Sequence, residues 1–177
     1  METPRELLVH ELSDMLSAEH IIAKMLPELR KEAQHPAIRA AFDEHLEQTK
    51  GHIDRLEQAF ELLGEKPEKT TCHAAEGLKQ EHEALHEEEP SPDVLEMANL
   101  LGAAKTEHYE IASYTGLAQL ATDLGERDVA ALLKETLAEE KEMDKRVNTL
   151  AKQLGKEAKA TEKERQKAEK EAEQAAD

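Results

Sequence analysis

Several side chains in this sequence carry metal-binding chemistry at positions where a helix normally buries leucine. They are Glu19, Gln48, His52, Glu107, Glu110, Glu140 and Asp144. Steps of four and three residues trace the buried stripe of a helix. Such steps give Leu8, Leu12, Met15, Glu19, Ile22, Leu26 in one segment and Ile38, Phe42, His45, Thr49, His52, Leu56, Phe60 in the next, with Gln48 beside Thr49. A third runs Ala104, Glu107, Ile111, Tyr114, Ala118, Ala121, and a fourth Leu133, Leu137, Glu140, Asp144, Val147, Ala151, Leu154. Each stripe is interrupted near its middle by acid or histidine. Burying an ionised carboxylate costs several kcal/mol, roughly, unless something compensates. No lysine or arginine lies on these stripes at that height, so a multivalent cation is the simplest compensator. Carboxylate with imidazole suits iron or manganese, here a dinuclear pair in full or partial occupancy, ahead of zinc.

The elements that must position these groups are long helices. Thr3-Pro4-Arg5-Glu6 is a cap, a proline at the first helical position and a capping-box glutamate. The first helix runs to about Gln34, with Pro27 placed to bend it, and His35-Pro36 breaks the chain. The second helix runs to Leu63, with Gly64 as its stop. A short polar helix lies in the 65–90 connection. Ser91-Pro92-Asp93 starts a third long helix that ends near Asp123, and a fourth runs from about Glu126 to Leu154. Two tight hairpins joined by one long crossover describe the ferritin-like variant of the four-helix bundle. The expected fold is therefore all-α: residues 1–154 form the bundle, and 155–177 are a charged tail, helical or disordered, without an apolar stripe.

Heights along a hairpin are measured from its turn, at about 1.5 Å per residue. Glu107 and Glu110 precede Gly125 by 18 and 15 residues, and Glu140 and Asp144 follow it by 15 and 19. Glu19 precedes His35 by 16, and Gln48 and His52 follow it by 13 and 17. The polar interruptions fall at one level, whereas His45, only 10 past its turn, is expected nearer one end. A lone glutamate on an apolar stripe is usually a boundary residue whose head reaches water; the matching heights on four helices weigh against that here. Tyr114 is more often a packed core tyrosine than a redox partner. Cys72, at a loop–helix junction, reads as structural.

Composition excludes several classes. Aromatic residues make up 2% of the chain and charged ones 36%, which suits helices and not strands. A net charge of −17 disfavours nucleic acid, and the absence of a long apolar run disfavours a membrane span. One cysteine permits no internal disulfide, and the acidic N-terminus is no signal peptide, so a cytoplasmic location is expected. With few large residues, the domain is expected to bury leftover apolar surface in a homodimer.

The stretches HLEQTKGHIDRLEQAF, CHAAEGLKQE, EHYEIASYTGLAQLA and LLKETLAEEKEMD, in this order, resemble the YciE/YciF family of ferritin-like bacterial proteins. The resemblance spans residues 5 to 154. It implies a ferritin-like bundle, often dimeric, with a dinuclear metal site to which Glu19, Glu107, Glu140 and Asp144 belong. Gln48 departs from the family pattern HLEET, which places a glutamate there; His52, one turn on, stands on the same face. The resemblance assigns no activity; the first expectation is a di-metal protein that handles iron or reactive oxygen species under stress, with oxidoreductase or peroxidase-like chemistry at the metals. The alternative is a stress-associated structural bundle with a vestigial or empty site.

His82-Glu83-Ala84-Leu85-His86 also matches H-E-x-x-H, the pattern of zinc proteases. Its polar surroundings, the lack of a third motif histidine and the lack of strands weigh against a protease. In a chain this rich in histidine and glutamate the match also arises by chance, and adventitious surface zinc or nickel binding is the other reading.

Overall fold

The computed structural model describes residues 1–176 in backbone and 1–168 in side-chain detail. Five helices follow one another: α1 Pro4–Glu32, α2 Pro36–Leu63, α3 His73–Glu87, α4 Pro92–Asp123 and α5 Arg127–Ala176. The starts obey local chemistry. Thr3 accepts a hydrogen bond from the Glu6 amide, His35 from Ala37 and the Cys72 thiol sulfur from Ala75, while α1, α2 and α4 carry proline in the first turn. Gly64 and Gly125 adopt φ of 68° and 80°, the left-handed geometry that lets the chain leave a helix abruptly. α1 passes through Pro27 without a break.

The two hairpins, α1–α2 and α4–α5, pack into a four-helix ring in which α1 meets α2 and α4, and α5 meets α2 and α4. α3 lies against α1 and α4. The two hairpin turns stand at opposite ends. At one end Arg5 of α1 donates to the Leu63 carbonyl and to Glu126 beside Gly125. At the other, the amides of Gln34 and His35 both donate to Glu96 Oε1 of α4, at 2.7 Å each. One buried carboxylate thereby satisfies two amides of the α1–α2 turn.

The apolar core is split in two. Around the Gly125 end, Leu8, Leu12, Leu56, Phe60, Leu117 and Leu133 pack together; around the His35 end, Ile22, Leu26, Ile38, Phe42, Leu100 and Val147 form a second cluster. Between them lies a buried polar layer that contains Glu19, His45, His52, Glu107, Glu110 and Glu140. Past Gly155, α5 continues as one helix, and side chains 156–168 are exposed. Of the charged segment 155–177, Asp177 lies outside the described residues. Among the described residues no helix is long and apolar enough to cross a membrane.

Candidate metal centre

All four bundle helices supply the polar layer, and their heights follow from the opposed turns. A residue 10 past His35 meets one 18 before Gly125, because α2 spans the 28 residues between His35 and Gly64, at the Gly125 end. His45 therefore faces Glu107: its Nδ1 lies 3.2 Å from Glu107 Oε1, and its Nε2 lies 3.7 Å from Glu140 Oε2. This corrects the expectation that His45 sits apart from the other groups. That expectation compares distances from two turns as if both stood at one end. The available signal was its place on the His52 stripe, two helical turns away.

Two ligand sets result, and they share one residue. His45, Glu107, Glu110 and Glu140 converge in one, and Glu19, His52 and Glu140 in the other. In the second set His52 Nδ1 is 2.9 Å from Glu140 Oε1 and 3.4 Å from Glu19 Oε1. All six residues are buried. Gln48, half-buried, turns a buried amide oxygen inward without a partner.

Asp144 stands at the margin. The stripe of α5 runs Leu133, Thr136, Glu140, Met143, Val147. It shares 133, 140 and 147 with the pattern read from sequence but takes three before four between them. Asp144 is consequently half-buried, 3.4 Å from His108 Nδ1, and accepts a hydrogen bond from Asn148.

The atoms in the layer are close but unpaired. Both oxygens of Glu107, Glu110 and Glu140, with Glu19 Oε2, His45 Nε2 and His52 Nδ1, are buried without a hydrogen-bond partner. The 2.9 Å between His52 Nδ1 and Glu140 Oε1 lacks the alignment of a hydrogen bond. Carboxylate and imidazole atoms that converge while buried and unpartnered mark a candidate cation site, since buried polar atoms are otherwise nearly always satisfied. The residues present thus fit bound cations, and carboxylate with imidazole is a donor set that suits iron, manganese or zinc.

The electrostatics agree. Burial, reinforced by Glu140, pushes the Glu107 carboxyl up to about 10, and burial raises Glu110 and Glu19 too. Burial also opposes ionisation of Glu140, but the His45 and His52 imidazoles outweigh it and hold that carboxyl at about 2. His52 resists its own burial because Glu140 and Glu19 raise it to about 10. Without a cation, the layer is kept close to neutral by protons.

Surrounding groups orient the ligands. His52 Nε2 pairs with Glu139 Oε2 at 2.9 Å, and Arg55 grips both oxygens of Glu139 at 2.8 Å. A histidine engaged at one nitrogen by a carboxylate offers the other to a metal. The Tyr114 hydroxyl, fully buried, donates to Glu19 Oε1 and leaves Oε2 free. Nothing in the spacing of the sequence announces either pairing. Cys72 caps α3 and contacts the Tyr109 hydroxyl at 3.0 Å.

Comparison with known proteins places this architecture. Residues 3–172 match the family described as Domain of unknown function (DUF892). Protein YciF of Escherichia coli (strain K12) is 41% identical over 152 residues, covering 85% of this chain and 92% of YciF. The crystal structure of the E. coli stress protein YciF superposes with a TM-score of 0.84 at 39% identity, over 88% of this chain and 99% of that one. YcfI of Rhodopseudomonas palustris, to which a structural role has been provisionally given, superposes with a TM-score of 0.80 at 37% identity, over 84% of this chain and 94% of that one. This chain belongs to the DUF892 family and is an all-helical relative of YciF.

Proposed function

We propose that the polar layer binds two iron or manganese ions, with zinc the poorer fit, and that the protein uses them to handle iron or reactive oxygen species under stress. The observation that carries this reading is the set of buried, unpartnered carboxylate and imidazole atoms contributed by all four helices. Glu140 would serve both ions, Glu19 and His52 one, and His45, Glu107 and Glu110 the other. Bound there, such ions would supply open coordination positions and one-electron chemistry toward oxygen or peroxide. The chain itself orients His52 through Glu139 and Arg55, holds Glu19 through Tyr114, and excludes bulk water with the apolar clusters above and below.

The stress-protein name of YciF supports the physiological half of the reading. A second reading, a structural bundle with a vestigial site, is favoured by Gln48: a neutral amide replaces charge at the height of Glu110 and Glu140. Metal analysis separates the two. Protein purified without a histidine tag and reconstituted with Fe²⁺ or Mn²⁺ is expected to retain two equivalents, and Glu140→Ala neither. Retention by Glu140→Ala equal to that of the parent would refute the di-metal reading.

A homodimer accompanies this proposal. Val94, Met97 and Leu101 form an exposed apolar stripe on α4, a surface that a two-fold contact would cover. Light scattering is expected to return twice the chain mass; a monomer would refute the dimer.

A further inference from the structure

The motif at residues 82–86 finds a third partner in space. His82 and His86 stand one turn apart on the same face of α3, their ring centroids 5.0 Å from each other. Glu32, at the C-terminal end of α1, comes between them. Its Oε1 is 2.8 Å from His86 Nε2 and 3.4 Å from His82 Nε2. All three ligating atoms lie within 4.8 Å of one another. Ligands about 2.0–2.1 Å from a tetrahedral zinc ion sit about 3.3 Å apart, so little movement is needed to admit one.

The carboxylate is held ready. Asn99 of α4, 3% exposed, donates its amide to Glu32 Oε2 at 2.7 Å and leaves Oε1 turned toward the histidines. An engaged second oxygen is how metal-binding carboxylates are usually aimed. Glu83, the residue that would act as base in a protease, instead lies 3.4 Å from Lys79, one turn back on its own helix. The motif therefore supplies two ligands and no base, and His86, 44% exposed, leaves the fourth position to water.

We propose that Glu32, His82 and His86 form a second, mononuclear site, independent of the bundle centre, that takes a borderline divalent cation such as zinc and clamps α3 to α1. The clamp has something to hold. α3 buries only Ala75, so polar contacts do most of its anchoring. Leu78, His82 and Leu85 of α3 line a cavity of about 640 Å³ whose inner wall includes His45 and Glu107. A cation at the end of α3 would fix the outer wall of the space that leads to the bundle centre.

Untagged full-length protein is titrated with Zn²⁺ in two backgrounds, the parent and Glu107→Ala/Glu140→Ala. The double variant is expected to keep one equivalent. Adding His82→Ala and His86→Ala should weaken that equivalent at least about 100-fold, and Glu32→Gln or Asn99→Ala about 10-fold. In the parent, which serves if the double variant does not fold, His82→Ala/His86→Ala should remove one equivalent and leave the others. Zinc binding unaffected by the two histidine substitutions would overturn the proposal. So would a Glu32→Gln chain that binds as tightly as its parent, since the site would then be a surface histidine pair.

Discussion

The molecule brings histidine and glutamate together twice, in opposite settings. At the bundle centre six such groups from four helices are buried between two apolar clusters, and most of their inward atoms have no partner. At the end of α3 two histidines and Glu32 meet at the surface, where His86 is 44% exposed and every carboxylate oxygen is engaged. The same side chains thus carry different energetic consequences. Inside, each charge must be matched by a cation or removed by a proton, so metal, protonation and stability are linked. At the rim His86 reaches water while Glu32 and His82 are half-buried, so a metal adds a tether against a smaller penalty than at the centre.

The contrast breaks most visibly at Glu140, which belongs to both inner sets. Glu140→Ala should abolish stabilisation by Fe²⁺ or Mn²⁺. In the parent, each ion at 100 times its dissociation constant contributes about 2.7 kcal/mol, or roughly 5–10 °C in Tm for a chain of this size. Calorimetry with and without metal checks this; an equal shift in Glu140→Ala would place the bound ion elsewhere.

Acidity should separate the two sites next. Glu107 and His52 have folded values near 10, above their ordinary 4.5 and 6.5, so the folded metal-free chain binds those protons more tightly than the unfolded chain. Their stabilisation is complete below the ordinary values and is lost as pH rises toward 10. Glu140, lowered from 4.5 to about 2, acts conversely: its contribution is present above 4.5 and lost as pH falls toward 2. Stability in the presence of a chelator should accordingly peak near pH 4.5, decline from there as Glu107's contribution is lost, and decline most steeply beyond 6.5 where His52 joins Glu107. Metal loading should flatten that decline by displacing the protons. Denaturant midpoints across pH test the pattern, and a chelated protein that gains stability from pH 6.5 to 9 would contradict it.

A smaller effect is expected from Glu107→Ala without metal. Removing a buried, unpartnered carboxyl offsets the cavity it leaves, so the unfolding free energy should change by less than about 1 kcal/mol in either direction. A loss above about 3 kcal/mol would show that Glu107 has a structural partner. Smallest of all, His86→Ala in chelated protein should shift stability by no more than about 0.5 kcal/mol, because His86 is exposed and Asn99 still holds Glu32.

Much of this is legible in the chain, for local reasons. Helix ends follow from proline, capping side chains and left-handed glycine, each decided within a few residues. Glu19 and Glu107 stand out because apolar stripes surround them. What escapes is tertiary. His45 joins the centre only because the hairpin turns face opposite ends, and no local pattern encodes that. Asp144 and Met143 are both compatible with a stripe through Leu133, Glu140 and Val147, and packing against α4 and α2 chooses Met143. Tyr114 beside Glu19, Arg55 on Glu139 and Glu32 between the histidines are pairings across 95, 84 and 54 residues that only folding creates.

The polar layer that divides the core has a further consequence for how the protein breathes. Each apolar cluster is knit to its own end, one by Arg5 and the other by Glu96, while in the middle most inward atoms are unpartnered and the bonds that cross between helices are Tyr114 on Glu19 and Glu139 between His52 and Arg55. Opening the metal-free bundle at its waist therefore sacrifices little, and amides near Glu110 and Glu140 should exchange with solvent through excursions much smaller than global unfolding. Ions seated in the layer would bridge all four helices at the waist and turn two loosely joined half-bundles into one cooperative unit. The slowest-exchanging amides should then move from the ends of the molecule to its centre.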